Sequence, residues 1–229
     1  MASPIRIISS MATKQLLADL IGQFQQQTQQ AVSVESVGGV DAAKRVQAGE
    51  AFDLVVLASN AIEQLIQAGK VVAGTRTDLV RSGVAVAVRA GAPRPDLGSE
   101  AAVKQAVLAA GSLSYSTGPS GVALVKLFER WGIAAQIQDR IVQAPPGVPV
   151  GSLVADGKVE LGFQQLSELI HLQGIDVVGP LPDDIQIITT FSAGIAATCA
   201  QPESVRPLLD FLVSQAADAP KRANGMQPA

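Results

Sequence analysis

Short apolar runs alternate with amphipathic helical stretches along this chain, and that alternation restricts its fold more than any other property. Residues 5–9 read as a strand, and Met11, Leu16, Leu17, Leu20, Ile21 and Phe24 follow as an apolar stripe at helical spacing. Residues 31–37 alternate Val32, Val34 and Val37 as a second strand, which Gly38-Gly39 ends before a short helix over 40–49. Residues 52–58 are a continuous apolar run of the kind a fully buried strand shows, and 60–68 read as another helix. A βαβαβα series of this kind predicts a mostly parallel sheet covered by helices.

The pattern changes at residues 80–89, where Val84, Val86 and Val88 form a strand that runs into the loop Gly91-Ala92-Pro93-Arg94-Pro95. A second α/β series begins there. Helices are expected at 101–110, 122–131, 148–155 and 167–172, and strands at 111–115, 140–143 and 159–163. A long Ile- and Thr-rich strand over 186–199 and a helix over 203–216 close the chain. No Pro/Gly-rich linker and no short-period repeat separates the series. The expected organisation is an α/β protein of two lobes joined by crossing strands. Residues 1–82, completed by 190–229, form one lobe and 83–189 the other, with the ligand in the interlobe cleft at the carboxyl ends of parallel strands.

Composition narrows the function. A net charge of −3 argues against a nucleic-acid partner, which calls for a basic face. One cysteine, Cys199, and one histidine, His171, leave no set of metal ligands and no disulfide framework, so neither a metal nor another cofactor is expected. No stretch is long and apolar enough for membrane insertion. Residues 4–8 are too short, and interrupted by Arg6, to be the apolar core of a secretory signal, which predicts a cytoplasmic protein. A precursor trimmed to a new methionine would read the same way and would be periplasmic.

The chemistry gathers where strands hand over to helices. Ser9-Ser10 precede the first helix and Gly38-Gly39 the second. Ser116-Thr117-Gly118-Pro119-Ser120-Gly121 precede the helix that ends at Trp131, and Gly147-Val148-Pro149-Val150-Gly151-Ser152 open a later one. A helix start offers free N–H donors at the positive end of a dipole, and glycine lets a ligand approach the backbone. Taken singly, each junction is an ordinary cap. Four together point to a small anionic ligand held without a metal.

The segment Ile5-Arg6-Ile7-Ile8-Ser9-Ser10-Met11-Ala12 resembles the opening strand and helix start of the molybdate-type periplasmic solute-binding proteins of ABC importers. Similar anchors follow in family order: residues 46–54, Gly74-Thr75-Arg76, Pro119-Ser120-Gly121 and Leu161-Gly162-Phe163. The resemblance implies the type 2 periplasmic-binding-protein fold, with hinge strands between two lobes, and an ABC permease as partner if the protein is exported. It also implies where the ligand sits. The family's serine at the first helix start falls at Ala12, its serine before the second helix at Gly39 and its tyrosine after the late strand at Gln165, while Val150 and the turn 119–121 match. With those hydroxyls gone, and Arg81-Ser82-Gly83 standing where the family often has Gly-Asn-Ser, a di- or tricarboxylate is expected in place of molybdate. An arginine fork suits a planar carboxylate.

Some members that resemble these proteins are aconitate-isomerase-like enzymes, which implies a proton-shift isomerase of unsaturated acids as the alternative to a transport receptor. No residue is assigned as the catalytic base. Tyr115, Ser10, Lys14 and Asp41 lie at or near the junctions, and His171, the solitary histidine at an apparent helix end away from the junctions, reads as structural. The expected binding set is Ser9, Ser10, Ala12, Gly38, Gly39, Arg81, Ser82, Tyr115, Thr117, Ser120, Gly121, Val150 and Gln165.

Overall fold

A computed structural model describes residues 4–145 and 147–229. In chain order it contains β1 (Ile5–Ser10), α1 (Lys14–Thr28), β2 (Val32–Val37), α2 (Gly39–Gln47), β3 (Leu54–Ala58), α3 (Ser59–Gln67) and β4 (Thr77–Arg89). Then come α4 (Glu100–Ala109), β5 (Leu113–Tyr115), α5 (Pro119–Arg130), α6 (Ala134–Ile137), α7 (Val150–Ala155), β6 (Leu161–Gln165), α8 (Leu166–Leu169) and β7 (Ile175–Pro180). The chain closes with β8 (Ile188–Ile195), α9 (Pro202–Val213), α10 (Asp218–Ala223) and β9 (Gln227–Pro228). Two compact units result. The first holds the described residues up to Arg81 together with Thr190–Ala229, and the second is Ser82–Thr189. The chain passes between them within β4 and again within β8.

In the first unit β1 lies between β2 and β3, parallel to both, and β8 adds antiparallel to β3. Alternation along β1 sends Ile5 and Ile7 to one face, where α1 and α9 cover them with Leu16, Leu17, Leu20, Leu208 and Leu212. Ile8 goes to the other face, against Ala42 and Val46 of α2 and Ile62 and Leu65 of α3. Both sheet faces are therefore buried, which is why β3 reads as the unbroken run Leu54-Val55-Val56-Leu57-Ala58 with every residue buried. Helix α1 ends where Gln29 turns to a left-handed φ of 59° and returns its N–H to the Gln25 carbonyl.

In the second unit β5 and β6 are parallel, and β4 runs antiparallel between β6 and β7. Val84, Val86 and Val88 meet Val103 and Val107 of α4 and Leu124 and Phe128 of α5 on one face. Ala85 and Ala87 meet Leu169 on the other. Gly162 in β6 is required by close approach, because a Cβ there would lie 2.6 Å from the Val154 side chain of α7.

Short elements α6, α10 and β9 were not anticipated, and three longer segments differ from the sequence reading. The strand expected at 140–143 reduces to one bridge between Ile141 and Leu113. The cause is Arg140, whose guanidinium donates to the Leu108 and Ala110 carbonyls at 2.8 and 2.7 Å, satisfying the end of α4 and holding the chain in a turn. The long strand expected over 186–199 is the shorter β8. Gln186 leaves the ladder to bond the Val84 backbone, accepting from its N–H at 2.9 Å and donating to its carbonyl at 3.2 Å. Strand β7 was not anticipated: its half-buried residues show no alternation, and Gly179-Pro180 read as breakers.

Candidate functional site

The parallel strands of the first unit end on one edge, and each hands directly to a helix. Ser10 closes β1, Gly38 precedes α2, and Ser59-Asn60 open α3 immediately after β3. The register pairs Ser10 with Val37 and Ser9 with both Ser36 and Val56, so these three starts lie side by side. The α2 ladder begins with Ala42 N–H bonding the Gly38 carbonyl, leaving the N–H groups of Gly39, Val40 and Asp41 without a partner inside the helix. A Cβ built on Gly39 would lie 3.6 Å from the Ser10 Cβ, so residue 39 and Ser10 are direct neighbours.

The two adjacent serines have different fates. Ser9 is fully buried and its hydroxyl pairs with that of Ser36 at 2.7 Å, a bond between neighbouring strands. The Ser10 hydroxyl is buried beside Gly39 and has no protein partner. Ala12 packs into the core between β1 and α1. Lys14 and Asp41 are exposed. Ser59 and Asn60 belong to this edge and were missed by sequence reasoning. The signal available was a buried strand ending with no loop before polar, helix-starting residues.

In the second unit β5 ends at Tyr115. Its ring is half-buried edge-on against Phe128, with centroids 6.0 Å apart, and burial pushes its hydroxyl pKa up. The following turn is tightly built. The Ser116 and Ser120 hydroxyls pair at 3.0 Å, Thr117 is exposed, and Gly118 precedes α5. A Cβ on Gly121 would lie 1.6 Å from the Ser116 carbonyl oxygen, so only glycine lets the turn close on the helix. Val150 is buried at the first position of α7, and the next N–H, of Gly151, donates to Gln164 Oε1 at 3.4 Å.

Strand β6 ends in Gln164-Gln165. Gln165 Nε2 donates to the Thr189 hydroxyl at 2.8 Å, while its Oε1 is buried without a partner. Ser82 in β4 and Ser167 in α8 are also buried with unpartnered hydroxyls. Arg81, next to Ser82, is exposed in the part of β4 that pairs with β9. Sequence reasoning also missed Glu168. Burial pushes its carboxyl up to about 7, against a lowering hydrogen bond from Gln164 Nε2 at 2.8 Å. Gln164 lies at the end of a strand and Glu168 sits in the next helix, so no helical spacing in the sequence announced that pair. His171 lies exposed beyond α8.

Among the described residues no three His, Cys, Asp or Glu side chains gather as metal ligands, and no helix is long and apolar enough to cross a membrane. What both units present is a set of helix starts with buried hydroxyl or amide oxygens lacking protein partners. Such groups suit a small polar solute.

An aconitate isomerase from a Pseudomonas species is 38% identical over 185 residues, covering 80% of this chain and 70% of that protein. The periplasmic molybdate-binding protein of Azotobacter vinelandii shares the fold with a TM-score of 0.81 at 22% identity, over 98% of this chain and 99% of that one. A tungstate-binding protein from Desulfovibrio alaskensis does so with a TM-score of 0.71 at 18% identity, over 100% and 99%. The family described as bacterial extracellular solute-binding protein matches residues 5–227. This chain belongs to that family, and its α/β architecture is the type 2 periplasmic-binding-protein fold.

Proposed function

We propose that this protein binds a small di- or tricarboxylate and moves a proton within an unsaturated acid, as a carboxylate isomerase. The observation that carries the ligand class is the edge of the first unit. Positions 12 and 39, where the resemblance places serines, hold Ala12 in the core and Gly39 beside Ser10. One buried, unpartnered hydroxyl and uncovered backbone N–H groups therefore remain there. That donor set suits one carboxylate better than a tetrahedral oxyanion wrapped by several hydroxyls. The turn at Thr117, Ser120 and Gly121, the α7 start at Val150, and Ser82 and Gln165 are the groups of the second unit proposed for holding a small anion. Ser9 and Gly38 would hold the Ser10 edge in shape.

The likeness to an aconitate isomerase supports the reaction type. Proton transfer at neutral pH needs a group that exchanges its proton there, and a carboxyl near 7 has that property, so Glu168 is the proposed proton carrier. Tyr115, whose pKa is raised, is the less suitable base. A second reading, a solute receptor for an ABC permease, is favoured by the extent of the family match over residues 5–227. Cell fractionation bears on it: a periplasmic location favours the receptor and a cytoplasmic one the isomerase.

The test has two arms. Thermal unfolding across carboxylates and molybdate identifies the ligand class, since a solute at 100 times its Kd adds about 2.7 kcal/mol. Stabilisation by carboxylates is expected, and a response to molybdate alone refutes the ligand class. Proton NMR of unsaturated acids in deuterated water then reads the chemistry. Isomer formation with exchange of a carbon-bound proton is expected. Binding without exchange or isomer across the acids that bind leaves a receptor.

A further inference from the structure

Around the end of β6 in the second unit three buried polar atoms have no protein partner; Ser114 Oγ in β5 is a fourth in this unit. Ser82 Oγ, Gln165 Oε1 and Ser167 Oγ are all buried without a protein partner, and the three residues are 1%, 3% and 8% exposed. Val84 faces Gln165 across the β4–β6 ladder. Ser82 lies two residues from Val84 on the same strand, so alternation puts its side chain on the face of Gln165. Ser167 stands two residues beyond Gln165 in the first turn of α8. Nearby glutamines show what satisfaction looks like here. Gln186 accepts from the N–H groups of Val84 and Ile187 at 2.9 and 2.8 Å and donates to the carbonyls of Val84 and Leu181 at 3.2 and 3.1 Å. Gln164 both accepts from Gly151 and donates to Glu168. Gln165 has only its nitrogen engaged, by Thr189.

Buried polar groups in folded proteins are almost always bonded, so the three atoms specify a missing counterpart by their chemistry. The serines can donate or accept. Gln165 Oε1 can only accept. A solute group that has lost all its protons, such as an ionised carboxylate, sulfate or molybdate, offers only lone pairs and faces the amide oxygen unfavourably. An O–H group offers a donor for Gln165 Oε1 and lone pairs for the serine hydroxyls.

We propose that Ser82, Gln165 and Ser167 form a seat for an O–H group on the bound acid. The proposal rests on the reading that the protein binds a small carboxylate, and it adds which chemical group of an acid these three side chains take. The O–H has two chemical sources, the alcohol of a hydroxy acid or a carboxyl bound in its protonated form. A protonated carboxyl would also lower the cost of removing a proton from the adjoining carbon, because the product of removal carries less charge.

Calorimetric titration of the full chain tests the seat with matched acids, citrate against tricarballylate and malate against succinate, with cis-aconitate and molybdate alongside. Each is run in two buffers of different ionisation heat, so that proton uptake is read with Kd. A preference of about tenfold for the hydroxyl-bearing partner, without proton uptake, identifies an alcohol in the seat. Uptake of one proton by hydroxyl-free acids, with affinity rising as pH falls, identifies a protonated carboxyl. Gln165→Leu is expected to weaken binding about tenfold and to abolish whichever signature is present. Should that variant not fold, Ser167→Ala carries the same test by deleting one hydroxyl that has no protein partner. Acids that bind with neither signature, or with a signature untouched by these variants, overturn the seat alone. Molybdate binding that depends on Gln165 also overturns it, because the amide nitrogen would then face the solute. If no acid binds the wild-type protein, the carboxylate reading falls and the seat with it.

Discussion

Replacing Glu168 with glutamine should stabilise this protein at neutral pH and leave it unchanged in acid. Glu168 Oε1 accepts a 2.8 Å hydrogen bond from Gln164 Nε2, and the amide oxygen of a glutamine can accept the same bond. What the substitution removes is the cost of ionising a carboxyl that is partly withdrawn from water. Burial moves that group from 4.5 up to about 7 in the folded chain. Below pH 4.5 both folded and unfolded chains carry the proton, and the group costs nothing. Between 4.5 and 7 the unfolded chain ionises while the folded one keeps its proton, so stability falls as pH rises. Above 7 the loss is complete, at about 3 kcal/mol for a shift of this size. The stability of Glu168→Gln minus that of the wild type should therefore climb from near zero at pH 4.5 to about 3 kcal/mol at pH 8. In melting temperature this is about 6 °C or more for a chain of this length. Urea unfolding at several pH values, with the two proteins side by side, cancels the titration of every other carboxylate. A difference that does not change with pH, or that favours the wild type at pH 8, refutes the assignment of a raised pKa to this group.

Gly121→Ala should destabilise by about 3 kcal/mol or more, read in urea unfolding, because the added Cβ would sit 1.6 Å from the Ser116 carbonyl oxygen and must push the turn off α5. Ser10→Ala should do the reverse of an ordinary core change. Its hydroxyl has no protein partner, so stability should stay within about 0.5 kcal/mol. Carboxylate affinity by calorimetry should meanwhile fall about tenfold.

The first unit was legible because its apolar pattern matches its burial. The stripe from Leu16 to Phe24 faces the core, and the run at 54–58 is a central strand buried on both faces. Strand β7 was not legible, since Asp176 and the breakers Gly179-Pro180 interrupt its β-branched residues and pairing with β4 completes its extension. The two residues of β9 are likewise a strand only because Val80 and Arg81 lie opposite. At the candidate site, composition marked the junctions without distinguishing their members. Ser9 and Ser10 are chemically identical, and strand register decides that one is spent on Ser36 while the other is left open. Glu168 drew no reading from the sequence. Its raised pKa comes from burial, which the sequence around it does not announce.

The way the chain is divided between the two units fixes an order of assembly. The second unit, Ser82–Thr189, is one uninterrupted segment, whereas the first needs β8, α9, α10 and β9 to close its sheet and cover α1. During synthesis the ribosome delivers every residue of the second unit while β3 still lacks β8, its antiparallel neighbour. The later-encoded unit is thus the first that can finish folding, and the amino-terminal strands wait with an open edge and an uncovered apolar face. Chaperones that guard exposed strands would meet this protein through β1 to β3. A ribosome stalled once Thr189 has cleared its exit tunnel would hold a finished second unit tethered to an unfinished first.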